Sequence, residues 1–196
     1  MLHSFLANNR ADLIARCADK VAKRPKRNAS EKQLQTGIPM FIDQLTQTLE
    51  AEQNGETASG LRISGAAGGD RNNLSELGVT AAAHGTELLR LGYTIDQVVH
   101  DYGDLCQAIT DLAVERDAPF SIDEFRTLNR CLDNAIADAV TKFRYLRESA
   151  IAQQTMTDSN EHLAFPSTCS LTTRLIATPP AGASICSRAA TLTPSP

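Results

Sequence analysis

From Ser121 onward this chain has little choice but to form one long helix. Phe125, Leu128, Leu132, Ala135, Ile136, Ala139, Val140, Phe143 and Leu146 recur at three- and four-residue steps, with no Gly or Pro before residue 156. That spacing gathers them on one helical face. Ser121 with Glu124 forms a capping box that starts the helix. Its span is about 35 residues, or roughly 50 Å at 1.5 Å per residue. A single domain rarely needs so long a helix, and the excess predicts a stalk, a dimer seam or a signalling linker. Positions 125, 132, 139, 146 and 129, 136, 143 lie seven apart, although Asn129 is polar. This repeat predicts a homodimer through the last helix.

The rest of the chain reads as helix too. Leu2, Phe5, Leu6, Leu13, Ile14, Cys17 and Val21 mark an amphipathic helix over residues 2–24, closed by "KVAKRPKR" and stopped at Pro25. Ser30 and Gln33 make a capping box for a second helix, with a stripe of Leu34, Ile38, Phe41, Leu45 and Leu49. Gly37 and Pro39 predict a kink or a broken first turn there. Residues 52–73, rich in Gly, Ser and Asn, carry no period and predict a mobile loop. A third helix spans about 74–91, with Gly92 at its C′ position. Thr94 with Gln97 opens a fourth, which runs to about Arg116 before "DAPFS" breaks it. No segment shows strand alternation bounded by hairpin turns. The fold class is all-α, a bundle of about five helices that is globin-like or four-helix-bundle-like. Residues 1–157 form the domain, and 158–196 a disordered tail.

The totals narrow the function. A net charge of −4, few aromatics and no Trp argue against nucleic-acid binding. No apolar run reaches the roughly 18 residues of a membrane span, and "MLHSFLANNR" has no signal-peptide pattern, so a cytoplasmic protein without membrane insertion is expected. Five cysteines lack C-x-x-C spacing, which fits neither a disulfide framework nor a zinc site. Cys17, Cys106 and Cys131 fall among core apolar positions as small hydrophobes. "GAAGG" matches neither a P-loop nor a dinucleotide fingerprint. No cofactor is implied.

One stretch raises the question of chemistry. "VVHDYGDLCQ" places His100, Asp101 and Asp104 within five positions. On a helical wheel the core stripe holds Ile95, Val98, Val99, Tyr102, Leu105, Cys106, Ile109, Leu112 and Ala113. His100 falls opposite it with Asp96, Asp104, Gln107 and Asp111, and Asp101 sits at the edge. His100 and Asp104, at i and i+4, can meet. A metal site would need further ligands, and His84 and Asp70 have no ligand-spaced neighbours. A His–Asp couple could orient a general base, but no nucleophile or oxyanion motif accompanies it. The expectation is a solvated or protein-contact surface of His84, His100, Asp101 and Asp104, with no catalytic, cofactor or metal residue. Gly92, Tyr102 and Gly103 are expected to pack. Gly103 inside a helix costs roughly 1 kcal/mol against Ala, a cost often offset by close helix approach.

"HGTELLRLGYTIDQVVHDYGDLCQAITDLA", followed by "FRTLNRCLDNAIADAV", resembles the N-terminal helical domain of a group of bacterial sensor histidine kinases. It is similar to the N-terminal region of stressosome RsbT co-antagonist proteins. The resemblance covers residues 1–165 and rests on the conjunction of His84-Gly85, Leu91-Gly92, Val98-Val99 and Tyr102-Gly103. It implies a regulatory input and dimerisation module, related to globin-like bundles but without haem, with a regulatory protein partner. In such kinases the last helix leads to a phosphoacceptor box, approximately Phe-x-His-Glu-Leu-Arg-Asn, and then an ATP-binding domain. This chain reaches "NEHLAF" and departs at Pro166. His162 precedes Leu163 rather than an acidic residue, so the phosphoacceptor role is not carried onto it.

Three readings follow. The first is an input domain truncated before the kinase core, not an enzyme as it stands. The second is a stand-alone stressosome-type adaptor. The third is a small metal-binding or enzymatic bundle using His84, His100, Asp101 and Asp104. Residues 166–196 contain no acidic residue and are dominated by Ser, Thr, Ala and Pro. Such a segment cannot offset its ordering entropy and suggests an out-of-frame product.

Overall fold

The structure, a computed structural model, describes residues 1–23, 31–70 and 73–163, with the side chains of 31–36 and 161–163 outside the description. The described residues form seven α-helices and no strand: α1 (Leu2–Asn8), α2 (Arg10–Ala22), α3 (Glu31–Gln53), α4 (Thr57–Ser64), α5 (Glu76–Arg90), α6 (Ile95–Glu115) and α7 (Ile122–Leu163). The all-α expectation holds. Among these residues no helix is long and apolar enough to cross a membrane.

One core joins the helices. Leu6, Leu13 and Cys17 of α1 and α2, Ile42 and Leu45 of α3, Leu77 and Leu88 of α5, Leu105 and Ile109 of α6, and Leu128 and Phe143 of α7 are all buried. Cys17 and Cys131 lie in this core, and Cys106 is half-buried against it. The capping boxes form as read. The Thr94 N–H donates to Gln97 Oε1 at 2.9 Å. The Ser121 N–H donates to Glu124 Oε2 at 2.8 Å, and the Glu124 N–H to Ser121 Oγ at 3.2 Å. Glu124 Oε1 also accepts the Leu2 N–H at 2.6 Å, which fastens α1 to the start of α7. Gly92 takes φ +78°. The Tyr93 N–H bonds to the Leu88 carbonyl and the Gly92 N–H to that of Leu89, closing α5 in a Schellman motif.

Several elements differ from expectation. The helix over residues 2–24 is interrupted at Asn9, whose side-chain amide donates to the Phe5 carbonyl at 2.8 Å and competes for the helical ladder there. Pro39 lies inside α3, which runs unbroken from Glu31 to Gln53. Residues 52–73 are not one mobile loop. They contain the end of α3 and all of α4, with Gly60, Ile63 and Ser64 buried. Gly60 lies against Glu52 and the Thr48 carbonyl, so α4 packs back onto the end of α3. Ser75, not foreseen as a cap, accepts the Gly78 N–H at 3.1 Å and starts α5. The expected cap at Ser30 and the basic segment from Arg24 to Arg27 lie outside the described residues.

The closest helix pairing is α5 on α7. A Cβ added at Gly85 would strike the Ala139 carbonyl, and one at Gly78 would lie 2.5 Å from Asp138 Oδ2. Gly85 is therefore the glycine that admits a helix backbone. Gly103, expected to do so, has nothing within 4 Å of its would-be Cβ; nor has Gly92, whose role is the turn.

The last helix is 42 residues long, about 63 Å at 1.5 Å per residue. It takes in residues 158–163, which were assigned to the tail; the tail from 164 on lies outside the described residues. The heptad positions counted as a dimer seam are largely consumed by the chain's own core: Leu132, Ala139 and Phe143 are buried, and Ile136 packs against them. Phe125 stacks on Phe120, with ring centroids 6.1 Å apart. Past Phe143 the helix leaves the bundle, and every residue from 150 to 160 is exposed.

Candidate functional site

The residues singled out by sequence divide among three environments. His84 projects from α5 between α3 and α6. Its ring stands edge-on to Tyr102, centroids 6.0 Å apart. A Cβ on Gly37 would lie 2.7 Å from His84 Nδ1, so that glycine makes room for the imidazole. Burial pushes the His84 pKa down to about 4, against an opposing pull from Glu87, and the ring is neutral near pH 7. Burial likewise pushes the Tyr102 phenol up, with Asp101 and Asp138 adding to the effect. His84, Asp101 and Tyr102, with Gly37, Phe41 and Leu105, line a cavity of about 20 Å³. That is room for about one water molecule and no substrate.

Asp104 sits elsewhere. It is 4% exposed and turned toward α2, not out on a solvated face. There burial and its charge together push the Cys17 thiol up to about 12, opposed by Lys20. His100 is exposed. The pairing of His100 with Asp104 on one outer face therefore fails. The physical reason is the packing of α2 along α6, which extends the buried arc past the apolar stripe. Ion pairs of Arg16 with Glu115 and Lys20 with Asp111 edge that contact. Of the four residues, His84 and Asp101 meet at the small cavity, and Asp101 joins Asp104 in raising the pKa of the Cys17 thiol. Among the described residues no group of three or more His, Cys, Asp or Glu is placed to hold a metal.

A second polar cluster went unseen in the sequence. Arg130 on α7 donates to Ser64 Oγ at 2.7 Å, to the Gly65 carbonyl at 2.6 Å and to the Glu52 carboxylate. Thr127 Oγ1 bonds to Glu52 Oε2 at 2.5 Å. Asn134 Nδ2 donates to the carbonyls of Ser64 and Ala66, both at 2.9 Å. Together Arg130 and Asn134 satisfy the open carbonyl end of α4 and fix it to α7. Thr127, Arg130 and Asn134 recur at helical spacing beside the apolar stripe, a polar line whose buried partners the sequence alone did not reveal. Above it opens a cleft of about 650 Å³ lined by Glu52, Gly68, Asp123, Arg126, Arg130 and Asp133. Its arginines are engaged, Arg130 as above and Arg126 with Asp123 at 3.4 Å. Thr127 also lines it, with its hydroxyl held by Glu52.

The remaining distinctive feature is the exposed end of α7. Tyr145, Ile151 and Met156 are 62%, 58% and 70% exposed there. One i,i+4 ion pair, Arg144 with Glu148 at 3.2 Å, lies along it. Compared with known proteins, the chain matches no family model, no curated protein and no solved structure.

Proposed function

We propose that the chain is a regulatory input and dimerisation module that acts by protein contact through α7, in the manner of the sensor-kinase input domain that its sequence resembles. The observation carrying this reading is the continuity of α7. The same helix that is buried from Leu128 to Phe143 leaves the bundle and runs on, exposed, to residue 160. Packing changes in the core therefore reach the exposed end through one rigid element. The contact on α5 is close enough, at Gly85 against Ala139, that a shift of α5 has to move α7. The His84 cavity has no room for a substrate. The reading assigns the chain no catalysis and a cytoplasmic place.

A fusion tests it. Joined after Leu163 to the phosphoacceptor and ATP-binding core of an unrelated sensor kinase, the domain should set the autophosphorylation rate with a helical phase. Two extra residues at the junction, a rotation of roughly 200°, should change the rate severalfold; seven, close to two full turns, should restore it. A rate indifferent to both insertions would overturn the reading.

A further inference from the structure

The cleft beside α4 has a fixed floor and an open rim. Its floor is engaged by the fold: Arg130 holds Ser64, Gly65 and Glu52, Glu52 holds the Thr127 hydroxyl, and Asn134 holds two carbonyls. The rim differs. Arg126, Asn129 and Asp133 follow one another at steps of three and four residues, so they share one line along α7, and all three line the cleft. Arg126 is 77% exposed and pairs with the exposed Asp123 at 3.4 Å, a surface contact that a ligand displaces at little cost. Among the described residues, the side chains of Asn129 and Asp133 hold no hydrogen bond or ion pair. Asn129 is the polar residue that breaks the seven-residue apolar repeat, and its place is the cleft rather than a seam. The facing wall is kept low by Gly68, whose φ of +84° disfavours any side chain and whose would-be Cβ has nothing within 4 Å. A volume of about 650 Å³ lies within the range of small-molecule sites.

The line presents a cation, an amide and an anion in that order. A plain anion would meet Asp133 as a like charge, and a plain cation would meet Arg126. A ligand carrying both charges satisfies the two ends, and the amide between them can donate and accept. Seven residues of helix put about 10.5 Å between those ends. Two charge-assisted hydrogen bonds of about 2.8 Å each take up about half of that, and the rest matches the few ångströms between ammonium and carboxylate in a small amino acid.

We propose that the cleft between α4 and the N-terminal part of α7 binds a small amino-acid zwitterion, α or ω, with its carboxylate on Arg126, its ammonium on Asp133 and Asn129 between them. As the signal of the input module proposed above, such a ligand ties the loop after α4 to α7; the binding itself does not depend on that reading.

Thermal shift of the full chain with the common amino acids and 4-aminobutyrate, each up to about 10 mM, screens for the ligand, and calorimetry measures the hits. Butyrate and butylamine serve as relatives with one charge each. At least one zwitterion should bind, and the two single-charge relatives should not. Arg126 and Asp133 are exposed, so Arg126→Gln and Asp133→Asn should keep the wild-type circular dichroism. Each should weaken the ligand at least about tenfold. Asp123→Asn, which frees Arg126 from its present partner, should leave the affinity within about threefold or raise it. A chain that binds no amino acid, or binds butyrate or butylamine as tightly, would overturn the proposal, as would binding that survives both Arg126→Gln and Asp133→Asn. None of these results bears on the α7 fusion, which tests the input reading by itself.

Discussion

At the residue scale, two glycines that look alike in the sequence do opposite things. Gly85 lies against the Ala139 carbonyl, and Gly103 faces open space. Gly85→Ala should therefore cost at least about 2 kcal/mol, because backbone must move to admit the methyl. Gly103→Ala should raise stability by about 0.5–1 kcal/mol, because a helical glycine gains from a Cβ that meets nothing. Chemical denaturation of both variants checks the pair, and similar values for the two would contradict this assignment. The sequence shows that each glycine sits within a helix, but which one a neighbouring backbone approaches depends on helix crossing and is invisible there. The same holds for His84. Its folded pKa of about 4 lies below the unfolded value of 6.5. Between these values the unfolded chain binds the extra proton, so stability rises with pH from about 4 to 6.5 and falls as pH drops through that window. The contribution is at most about 3 kcal/mol, less for whatever water reaches the ring. His84→Gln should flatten that part of the profile relative to wild type, since the surface carboxylates titrate alike in both proteins. Parallel profiles would show that the ring is not buried.

At the element scale, helices with their own apolar period and caps were legible: α6 and α7 begin where Thr94–Gln97 and Ser121–Glu124 place them. Helix α4 was not, because most of its support is borrowed. Within Thr57–Ser64 the buried residues are Gly60, Ile63 and Ser64, too few for a period, and its carbonyl end is closed by Arg130 and Asn134 from α7. Asn134→Ala should release that end. The loss of two bonds to buried carbonyls predicts a cost of about 1–3 kcal/mol. Hydrogen exchange should then speed up over residues 57–66 and leave α6 unchanged; faster exchange throughout, or none, would contradict a local anchor. The face of Asp104 was misjudged for a related reason. An apolar stripe marks the centre of a buried arc, and only the seating of α2 on α6 fixes its edge.

At the scale of the whole molecule, the long breaker-free run from Ser121 already implied a helix that outgrows its domain, and α7 does so by the stretch beyond Phe143. The seven-residue repeat was legible as well, but its occupant was not. Core packing and a helical seam draw on the same apolar spacing, and Leu132, Ala139 and Phe143 went to the core. What is left for another molecule is the exposed end, and the central claim is that this end is a protein-contact surface. Hydrogen exchange of the amides of residues 150–160, followed as the full chain is taken from low to high micromolar concentration, tests that claim most directly. The predicted result is protection that grows with concentration in this stretch, while the amides of Leu128 to Phe143 stay equally protected throughout. Fast exchange over residues 150–160 at every concentration, beside a protected core, would contradict it.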